Sequence, residues 1–293
     1  MIYKRTLAGT IFDVANFIIL LLLMTICIYP VYYVVVASVS NPIAVFGGNK
    51  ILLWPREFSL ETYRIVFEYP AIWFSYRNTL LYTFLGTLIS LCLSVCGAYG
   101  LSRPYLPGRV LITFFVIFTM YFQGGMIPSF LVVRGLGLYD TVWAMMLPGA
   151  VSTFNLIIMY TYFKTIPESL EDAAKIDGAS EYRILFQIFV PLCTPVLAVI
   201  ALYYAVAKWN AFFQALIYLR SRTLFPLQII LREILIQNSQ TMLSGSGSYD
   251  GYEAYAQNVK YASIVVASLP ILMMYPFLQK YFVKGVMIGA IKG

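Results

Sequence analysis

Long uncharged stretches of apolar residues alternate with polar segments along the whole chain of 293 residues. The first stretch, from Val14 to Asn49, contains no charged residue at all. A helix that crosses a bilayer needs about 20 mostly apolar residues, and a spanning segment must satisfy its own backbone hydrogen bonds. The alternation typical of a β-barrel is missing. The pattern therefore predicts an all-α integral membrane protein with six transmembrane helices, at about residues 11–40, 78–101, 110–133, 141–163, 191–213 and 261–283.

Polar segments connect these predicted spans, and we expect a single transmembrane domain over residues 1–293. With the basic start Lys4-Arg5 inside, both termini and the segment 164–190 are expected in the cytoplasm. The long segments 41–77 and 214–260 are then extracytoplasmic. Ten basic residues lie inside and nine outside, with Lys208 in a span. Because this bias is small for the positive-inside rule, the orientation depends mainly on the basic start and on the resemblance described below.

The composition agrees with a membrane protein and argues against several other classes. Hydrophobic residues make up 60% of the chain and charged residues 11%, against about 25% charged residues in soluble domains. We assign the net charge of +7 to contact with anionic headgroups rather than nucleic acid. The chain has no histidine and no Gly-rich phosphate loop ending in Gly-Lys-Ser/Thr. We therefore expect no catalytic residue, no metal site, and no cofactor or ATP bound by this chain.

A short acidic segment between the fourth and fifth predicted spans has the most distinctive local chemistry. Its proline suits the first turn of a helix, and the carboxylates that follow interact favourably with the positive end of the helix dipole. Two alanines add little bulk, and a glycine suits a left-handed helix end. The segment predicts a short rigid helix that fits a groove of a partner protein. In order, these residues are Pro167, Glu168, Glu171, Asp172, Ala173, Ala174, Asp177 and Gly178.

The spacing of this segment resembles the cytoplasmic coupling loop of permeases in binding-protein-dependent ABC importers. The family pattern is Glu-Ala-Ala, three residues, Gly, nine residues, Ile, one residue, and Leu-Pro. Every interval is kept here, with Asp in place of Glu and Val in place of Leu, so that charge and apolarity are retained. The C-terminal tail, at 281–285 and 289–293, resembles that of carbohydrate-uptake permeases of the MalG and LplC kind. The matching residues of the loop are Asp172, Ala173, Ala174, Gly178, Ile188, Val190 and Pro191.

This resemblance implies the type I ABC importer permease fold, with a coupling helix, in a bacterial cytoplasmic (inner) membrane. It implies alternating-access transport of an oligosaccharide, with acidic alginate-derived fragments as one candidate. The implied partners are a second homologous permease, two ATPase subunits that hold ATP and Mg, and an extracytoplasmic solute-binding protein. The residues implied to couple to the ATPase are Pro167, Glu168, Glu171, Asp172, Ala173, Ala174, Asp177, Gly178 and Pro191.

Two other regions are candidates for handling the cargo. The flexible loop Ser246-Gly247-Ser248-Tyr249 either enters the sugar cleft of the binding protein or is a simple connector. Lys208 is the lone basic residue well inside a predicted span, where an ionisable group is costly. It either reaches the membrane interface, contacts the second permease, or contacts sugar. The candidate substrate path consists of Lys208, Trp209, Asn210 and Gln214.

A self-sufficient secondary transporter or channel is the alternative function. An inverted repeat or acidic residues inside the spans would favour it. No convincing repeat is visible, and Asp13 is the only carboxylate near the core of a predicted span. A membrane enzyme is disfavoured because histidine and clustered intramembrane carboxylates are missing. Co-purification with an ATPase subunit distinguishes the importer from the carrier.

Overall fold

The computed structural model describes residues 7–47, 51–243 and 250–290, and these residues are mostly helical. No strand occurs among them, and their isolated β-bridge pairs Ser40 with Phe58. The all-α prediction is therefore confirmed. Two short turns, a π-helical one at Leu185–Phe189 and a 3₁₀ one at Arg222–Leu224, interrupt the α-helices. The α-helices are α1 Leu7–Ser38, α2 Pro42–Phe46, α3 Glu61–Glu68, α4 Pro70–Ser102, α5 Arg109–Tyr121, α6 Met126–Gly135, α7 Trp143–Met146, α8 Thr153–Phe163, α9 Glu168–Ile176, α10 Glu181–Ile184, α11 Val190–Leu192, α12 Thr194–Trp209, α13 Phe212–Tyr218, α14 Leu227–Leu243 and α15 Asp250–Ala290.

Two of the described helices are long and apolar enough to cross a membrane as single elements. They are α1, from Gly9 to Ser38, and the whole of α4. Small residues recur every four positions along α4, and Ser90 and Ser94 among them are fully buried. A Cβ atom added at Gly86 would lie 3.3 Å from the Lys208 side chain. These small residues thus allow close helix packing. The sixth predicted span lies within α15.

The third predicted span is not a single helix, and the prediction of one over 110–133 is wrong in this respect. Helix α5 ends at Tyr121, α6 begins at Met126, and the two helices are bent by 117°. Gly125, which precedes α6, has φ +84°, a conformation that residues with a Cβ atom rarely adopt. The pair Gly124–Gly125 therefore allows the chain to change direction where a continuous helix was expected.

The fourth and fifth predicted spans are interrupted as well. Helices α7 and α8 are separated by a turn that contains Gly149, with φ +67°. Before α12 the chain bends by 86°, because Pro195 lacks the N–H group that would bond the carbonyl oxygen of Pro191. The hydroxyl of Thr194 donates to that oxygen instead, at 2.7 Å.

The described residues form two compact units. The first comprises the described parts of 1–70 and 231–268. Its small core contains Val36, Ala37 and Leu52. In the same unit, the buried amide of Asn258 donates to the backbone oxygen of Ser40 at 2.8 Å, which joins α15 to the end of α1.

The second unit comprises the described parts of 71–230 and 269–293. Its larger core cluster joins the C-terminal half of α4, the helices α8, α9, α10 and α12, and the π-helical turn. The short helix α9 therefore packs on the same core as the long helix α4. The buried members of this cluster, called the lower core below, are Val95, Ala98, Tyr99, Leu101, Leu156, Met159, Phe163, Ala174, Ile184, Leu185, Phe189, Cys193, Val196, Ile200 and Tyr204.

Candidate coupling site and substrate path

Helix α9 has the start and the end that its sequence predicts. Pro167 precedes it in an extended conformation, and Glu168 and Glu171 lie in its first turn. At the other end Gly178 has φ +77°. Its N–H group donates to the Lys175 carbonyl at 3.0 Å, and the N–H of Ala179 donates to the Ala174 carbonyl at 2.9 Å. This pair of bonds is the Schellman motif, so the prediction of a short, firmly terminated helix is confirmed.

The sequence suggested that the two alanines of α9 form one small surface, but in the structure they lie on different faces of the helix. Ala174 is buried in the lower core, whereas Ala173 is exposed. Glu171 lies one helical turn before Ala174 and is buried on the same face. Glu168 and Asp172 are exposed with Ala173, and 87% of Ile176 is exposed. One face of α9 is therefore an internal packing face, and the other is open.

The carboxylate of Glu171 is enclosed by positive charge inside the chain. Arg103, just after α4, forms an ion pair with Glu171 through Nη1. On the other side Lys175 Nζ lies 2.7 Å from Glu171 Oε1. Only 5% of Glu171 and 6% of Arg103 are exposed. Glu171 therefore holds α9 to the C-terminal end of α4.

The Arg103 guanidinium has partners on every side. Its Nε and Nη2 donate to Ser102 Oγ at 3.0 and 2.9 Å. The guanidinium carbon lies 4.8 Å from the ring centre of Tyr99 and 4.6 Å from that of Phe189. Such cation–π contacts orient a planar guanidinium. Residues of α4 and of the π-helical turn thus fix the orientation of the Arg103 guanidinium that pairs with Glu171.

A second carboxylate, Glu181, completes this group at the start of α10. It accepts hydrogen bonds from the hydroxyls of Tyr99 at 2.6 Å and Tyr105 at 2.9 Å, and Lys175 Nζ lies 3.4 Å away. Desolvation raises the pKa of the Glu181 carboxyl, but these hydrogen bonds and the Lys175 charge outweigh it and lower the pKa below its ordinary value. Glu181 is therefore ionised near neutral pH. The group, called the anchor cluster below, consists of Tyr99, Arg103, Tyr105, Glu171, Lys175 and Glu181.

Sequence reasoning missed five members of the anchor cluster: Tyr99, Arg103, Tyr105, Lys175 and Glu181. A basic residue directly after a predicted span gave some signal for Arg103, but that position also suits headgroup contact. Two other predicted coupling residues lie outside the anchor cluster. Asp177 ends α9 and is exposed, and Pro191 lies in α11 just before the bend that leads to α12.

Lys208 does not reach toward an interface, so the expectation of snorkelling is wrong. Only 8% of this residue is exposed, and its Nζ donates to the backbone oxygens of Met145 and Met146, both at 3.1 Å. These two residues end α7, where carbonyl groups have no partner within the helix. The Lys208 side chain supplies that partner at a break in the fourth predicted span.

Gln214 acts at the same helix end. Its Nε2 donates to the backbone oxygens of Ala144 at 2.9 Å and Pro148 at 3.3 Å. The other two residues of the candidate path behave differently. Trp209 is buried with its ring edge-on to Tyr76 at 6.1 Å, and Asn210 donates to the backbone of its own helix. The four residues of the candidate path therefore do not meet at one point.

A cleft of about 1010 Å³ lies beside the breaks in the third and fourth predicted spans. Gln123, Gly124 and Gly125 line one side, and Leu147 to Gly149 line another. The side chains of Phe122, Phe213, Gln214 and Tyr218 complete much of the wall. None of the residues that line this broken-helix cleft is charged. Gln214 is the member of the candidate path that borders it.

Hydrogen bonds hold the wall of the broken-helix cleft near Tyr218. Asp140, with φ +57°, donates its N–H to the Tyr218 oxygen at 2.9 Å. Its Oδ1 accepts from the N–H groups of Arg220 and Ser221, both at 2.8 Å. Hydrogen bonds from the Ser221 hydroxyl and backbone lower the pKa of the Asp140 carboxyl. The other predicted cargo contact, Ser246, Gly247, Ser248 and Tyr249, lies outside the described residues.

Together, the long apolar helices and the broken helices around the cleft define a helical membrane protein. The model of the family described as "Binding-protein-dependent transport system inner membrane component" matches residues 70–288. The chain belongs to this family. It is thus an ABC importer permease, and the alternative of a self-sufficient carrier or channel is set aside.

Two curated relatives from Bacillus subtilis (strain 168) are similar over almost their whole length. The polygalacturonan/rhamnogalacturonan transport system permease protein YtcP is 44% identical, over 97% of this chain and 99% of its own. Protein LplC is 42% identical, over 99% of this chain and 97% of its own. A chain in the crystal structure of a bacterial ABC transporter involved in the import of the acidic polysaccharide alginate is 35% identical. The TM-score is 0.86, and the match covers 95% of this chain and 99% of that one.

Proposed function

We propose that this chain passes acidic oligosaccharides through a bacterial cytoplasmic membrane, and that α9 docks on a partner ATPase. The observation that carries the proposal is the two-sided environment of α9. One side is buried on the lower core and in the anchor cluster, while the opposite side is exposed. A helix that is fixed to the bundle and open to a partner is suited to pass a movement from that partner to the bundle.

The open side of α9 has the chemistry of a small docking surface. Ile176 provides an apolar anchor, and Ala173 allows close approach of a partner backbone. Glu168, Asp172 and Asp177 surround them with negative charge. Apolar contacts at the centre of an interface and polar groups at its rim are the usual arrangement. The proposed partner site is therefore a groove with a basic rim on an ATPase subunit.

The complete importer in this proposal has several partners. They are a second homologous permease, two ATPase subunits that bind ATP and Mg, and an extracytoplasmic solute-binding protein. With α9 on the cytoplasmic side, Lys4 and Arg5 also lie in the cytoplasm, in agreement with the positive-inside rule, as does the C-terminus. The loop from Ser246 to Tyr249 stays the candidate contact with the binding protein.

The substrate class is supported by what the relatives carry. One relative is named for polygalacturonan transport, and a similar solved structure comes from an alginate importer. Both names denote acidic polysaccharides. The similarity to these two proteins covers 97% and 95% of this chain, and the cargo that we propose is an oligosaccharide rich in uronic acid.

We also propose that the sugar passes along the broken-helix cleft. Its aromatic residues Phe122, Phe213 and Tyr218 suit the apolar faces of sugar rings, and Gln123 and Gln214 suit hydroxyl groups. The lining carries no charge, and an unpaired carboxylate is costly to desolvate. The carboxylates of the cargo are therefore neutralised on other surfaces of the importer. Lys208 supports the wall of the path through Met145 and Met146 rather than binding the sugar.

The proposal is tested with the reconstituted importer in lipid vesicles, together with its binding protein. Oligogalacturonides and alginate oligomers should stimulate ATP hydrolysis, and the carboxyl-reduced form of the same oligogalacturonides serves as the matched neutral control. We expect stimulation by at least one acidic oligomer and loss of that stimulation on carboxyl reduction. Equal stimulation by the reduced oligomers, or by neutral maltodextrins alone, would contradict an acidic cargo.

A further inference from the structure

The ion pair between Arg103 and Glu171 connects two elements that are far apart in sequence. Arg103 directly follows α4, the second predicted span, and Glu171 lies in the first turn of α9. Their side chains are 8% and 6% exposed, so the pair is sealed inside the chain. The contact is thus a buried polar link between the proposed docking helix and a membrane helix.

Other charged and polar groups surround this pair, and one of them is a second basic partner of Glu171. Lys175 bonds the second oxygen of Glu171 and also approaches Glu181. The Tyr105 hydroxyl lies 3.4 Å from Glu171 Oε1. Arg109 donates through Nη1 to the backbone oxygen of Arg103 at 3.5 Å. The charges that face the pair are therefore Lys175, Glu181 and Arg109.

The pair cannot be explained well by stability alone. A buried ion pair is often replaced by well-packed apolar residues without loss of stability. Apolar burial already joins the two helices, because Tyr99 of α4 and Ala174 of α9 both belong to the lower core. Apolar packing fixes separation, but it is weakly directional. A hydrogen-bonded pair whose guanidinium is held between Tyr99 and Phe189 fixes the angle as well.

We propose that Glu171 and Arg103 are positioning residues that lock α9 at one angle to α4, so that both helices move as one body during the transport cycle. The inference rests on the proposed function, because it takes α9 as the helix that the ATPase displaces. Neither residue touches the cargo. Without the pair, α9 still docks through its open side, and nucleotide hydrolysis continues. The displacement of α9 then no longer turns α4 by a fixed amount, and transport per ATP falls.

The test measures sugar transported per ATP hydrolysed by the complete importer in vesicles. The variants are Glu171→Gln, Arg103→Gln and the apolar pair Glu171→Leu with Arg103→Met. The matched control is Glu68→Gln, which removes a carboxylate from an exposed i,i+4 pair with Arg64. We expect the ratio to fall about fivefold or more, the lower end of typical coupling between sites, in both single variants. ATP hydrolysis should continue, and the control should match the unaltered importer.

The apolar pair separates a positioning role from a structural one. It should assemble normally, because it leaves no buried unpaired charge, yet its transport per ATP should stay low. Full recovery of the ratio in this variant would overturn the proposal, since the pair would then only fill space. An unchanged ratio in the two single variants would overturn it too. If the unaltered importer shows no ATPase-driven uptake, the proposed function fails instead, so the two failures are distinguishable.

Discussion

Glu171 and Asp172 are neighbours in sequence, yet α9 turns their carboxylates to opposite surroundings. Glu171 is buried between Arg103 and Lys175, while Asp172 is exposed. The same division separates Ala174 from Ala173. Because successive residues of a helix are about 100° apart, a motif read as one unit contains residues with different roles. Each residue of the acidic segment therefore needs its own explanation.

Ala174→Leu should destabilise the chain, whereas Ala173→Leu should not. Overpacking a buried site costs about 1–3 kcal/mol, and Ala174 is 9% exposed in the lower core. The reason that Ala174 tolerates no bulk is thus the core beneath α9, rather than the partner groove expected from the sequence. Thermal unfolding in lipid nanodiscs measures the difference. Equal melting temperatures for the two variants would contradict the burial of Ala174.

At the scale of elements, side chains donate hydrogen bonds to the backbone carbonyls at helix breaks, from a distant helix in one case and from the next turn in the other. The carbonyls at the end of α7 receive hydrogen bonds from Lys208 and Gln214. At the bend before α12, the Thr194 hydroxyl donates to the Pro191 carbonyl oxygen, which Pro195 cannot bond because it has no N–H group. Within a bilayer such breaks are tolerated only where the free backbone groups are satisfied. Side-chain hydrogen bonds therefore stabilise the interruptions of the fourth and fifth predicted spans.

Lys208→Met should lower the stability of the chain although it removes a charge from a membrane helix. The change leaves the Met145 and Met146 oxygens without this donor, and a buried unsatisfied polar group costs about 1–3 kcal/mol. Lys164→Met, at an exposed lysine after α8, is the control and should change little. Thermal unfolding in nanodiscs compares the two variants. A gain of stability for Lys208→Met would show that burial of the lysine outweighs its bonds.

At the scale of the whole molecule, the long apolar helices are not equally enclosed by the chain. The most apolar window of α1 has no buried side chain, whereas the window in α4 is 28% buried. Without a hydrophobic driving force between helices in lipid, association depends on close packing and polar contacts. Helix α4 has both, through its small residues and the anchor cluster. It is connected to α9 through the ion pair between Arg103 and Glu171.

The orientation of the chain predicts opposite labelling of two positions. Arg64→Cys lies in the segment expected outside, and Ile176→Cys lies in the segment expected in the cytoplasm. Both sites are exposed, at 79% for the Arg64 side chain and 87% for Ile176. The four native cysteines, Cys27, Cys92, Cys96 and Cys193, are first replaced.

A membrane-impermeant maleimide is applied to spheroplasts that express the chain without ATPase subunits. We expect it to label Arg64→Cys in intact spheroplasts and Ile176→Cys only after lysis. The reverse pattern would place α9 outside the cytoplasm and refute the docking proposal.

Local chemistry made α9 and the approximate positions of the long helices predictable. Pro167 and Gly178 determine the backbone conformation of their immediate neighbours, so the ends of the helix can be predicted from the sequence. The Gly124–Gly125 pair also gave a local signal for the broken third span, but the apolar pattern around it favoured a continuous helix. The Arg103–Glu171 pair could not be predicted, because helical periodicity does not say which carboxylate faces a residue on another helix. For the same reason the sequence of α7 does not indicate that Lys208 donates hydrogen bonds to its carbonyl groups.

The ion pair beneath α9 also sets the smallest part that can be exchanged between permeases. A chimera that receives residues 164–190 from a relative acquires a new carboxylate but keeps the old arginine beyond α4. If the two differ in position, the graft leaves opposite charges mismatched in a sealed space. Transplants that carry residues 99–105 along with the loop preserve the match, so engineering of hybrid importers should treat these two stretches as a single cassette.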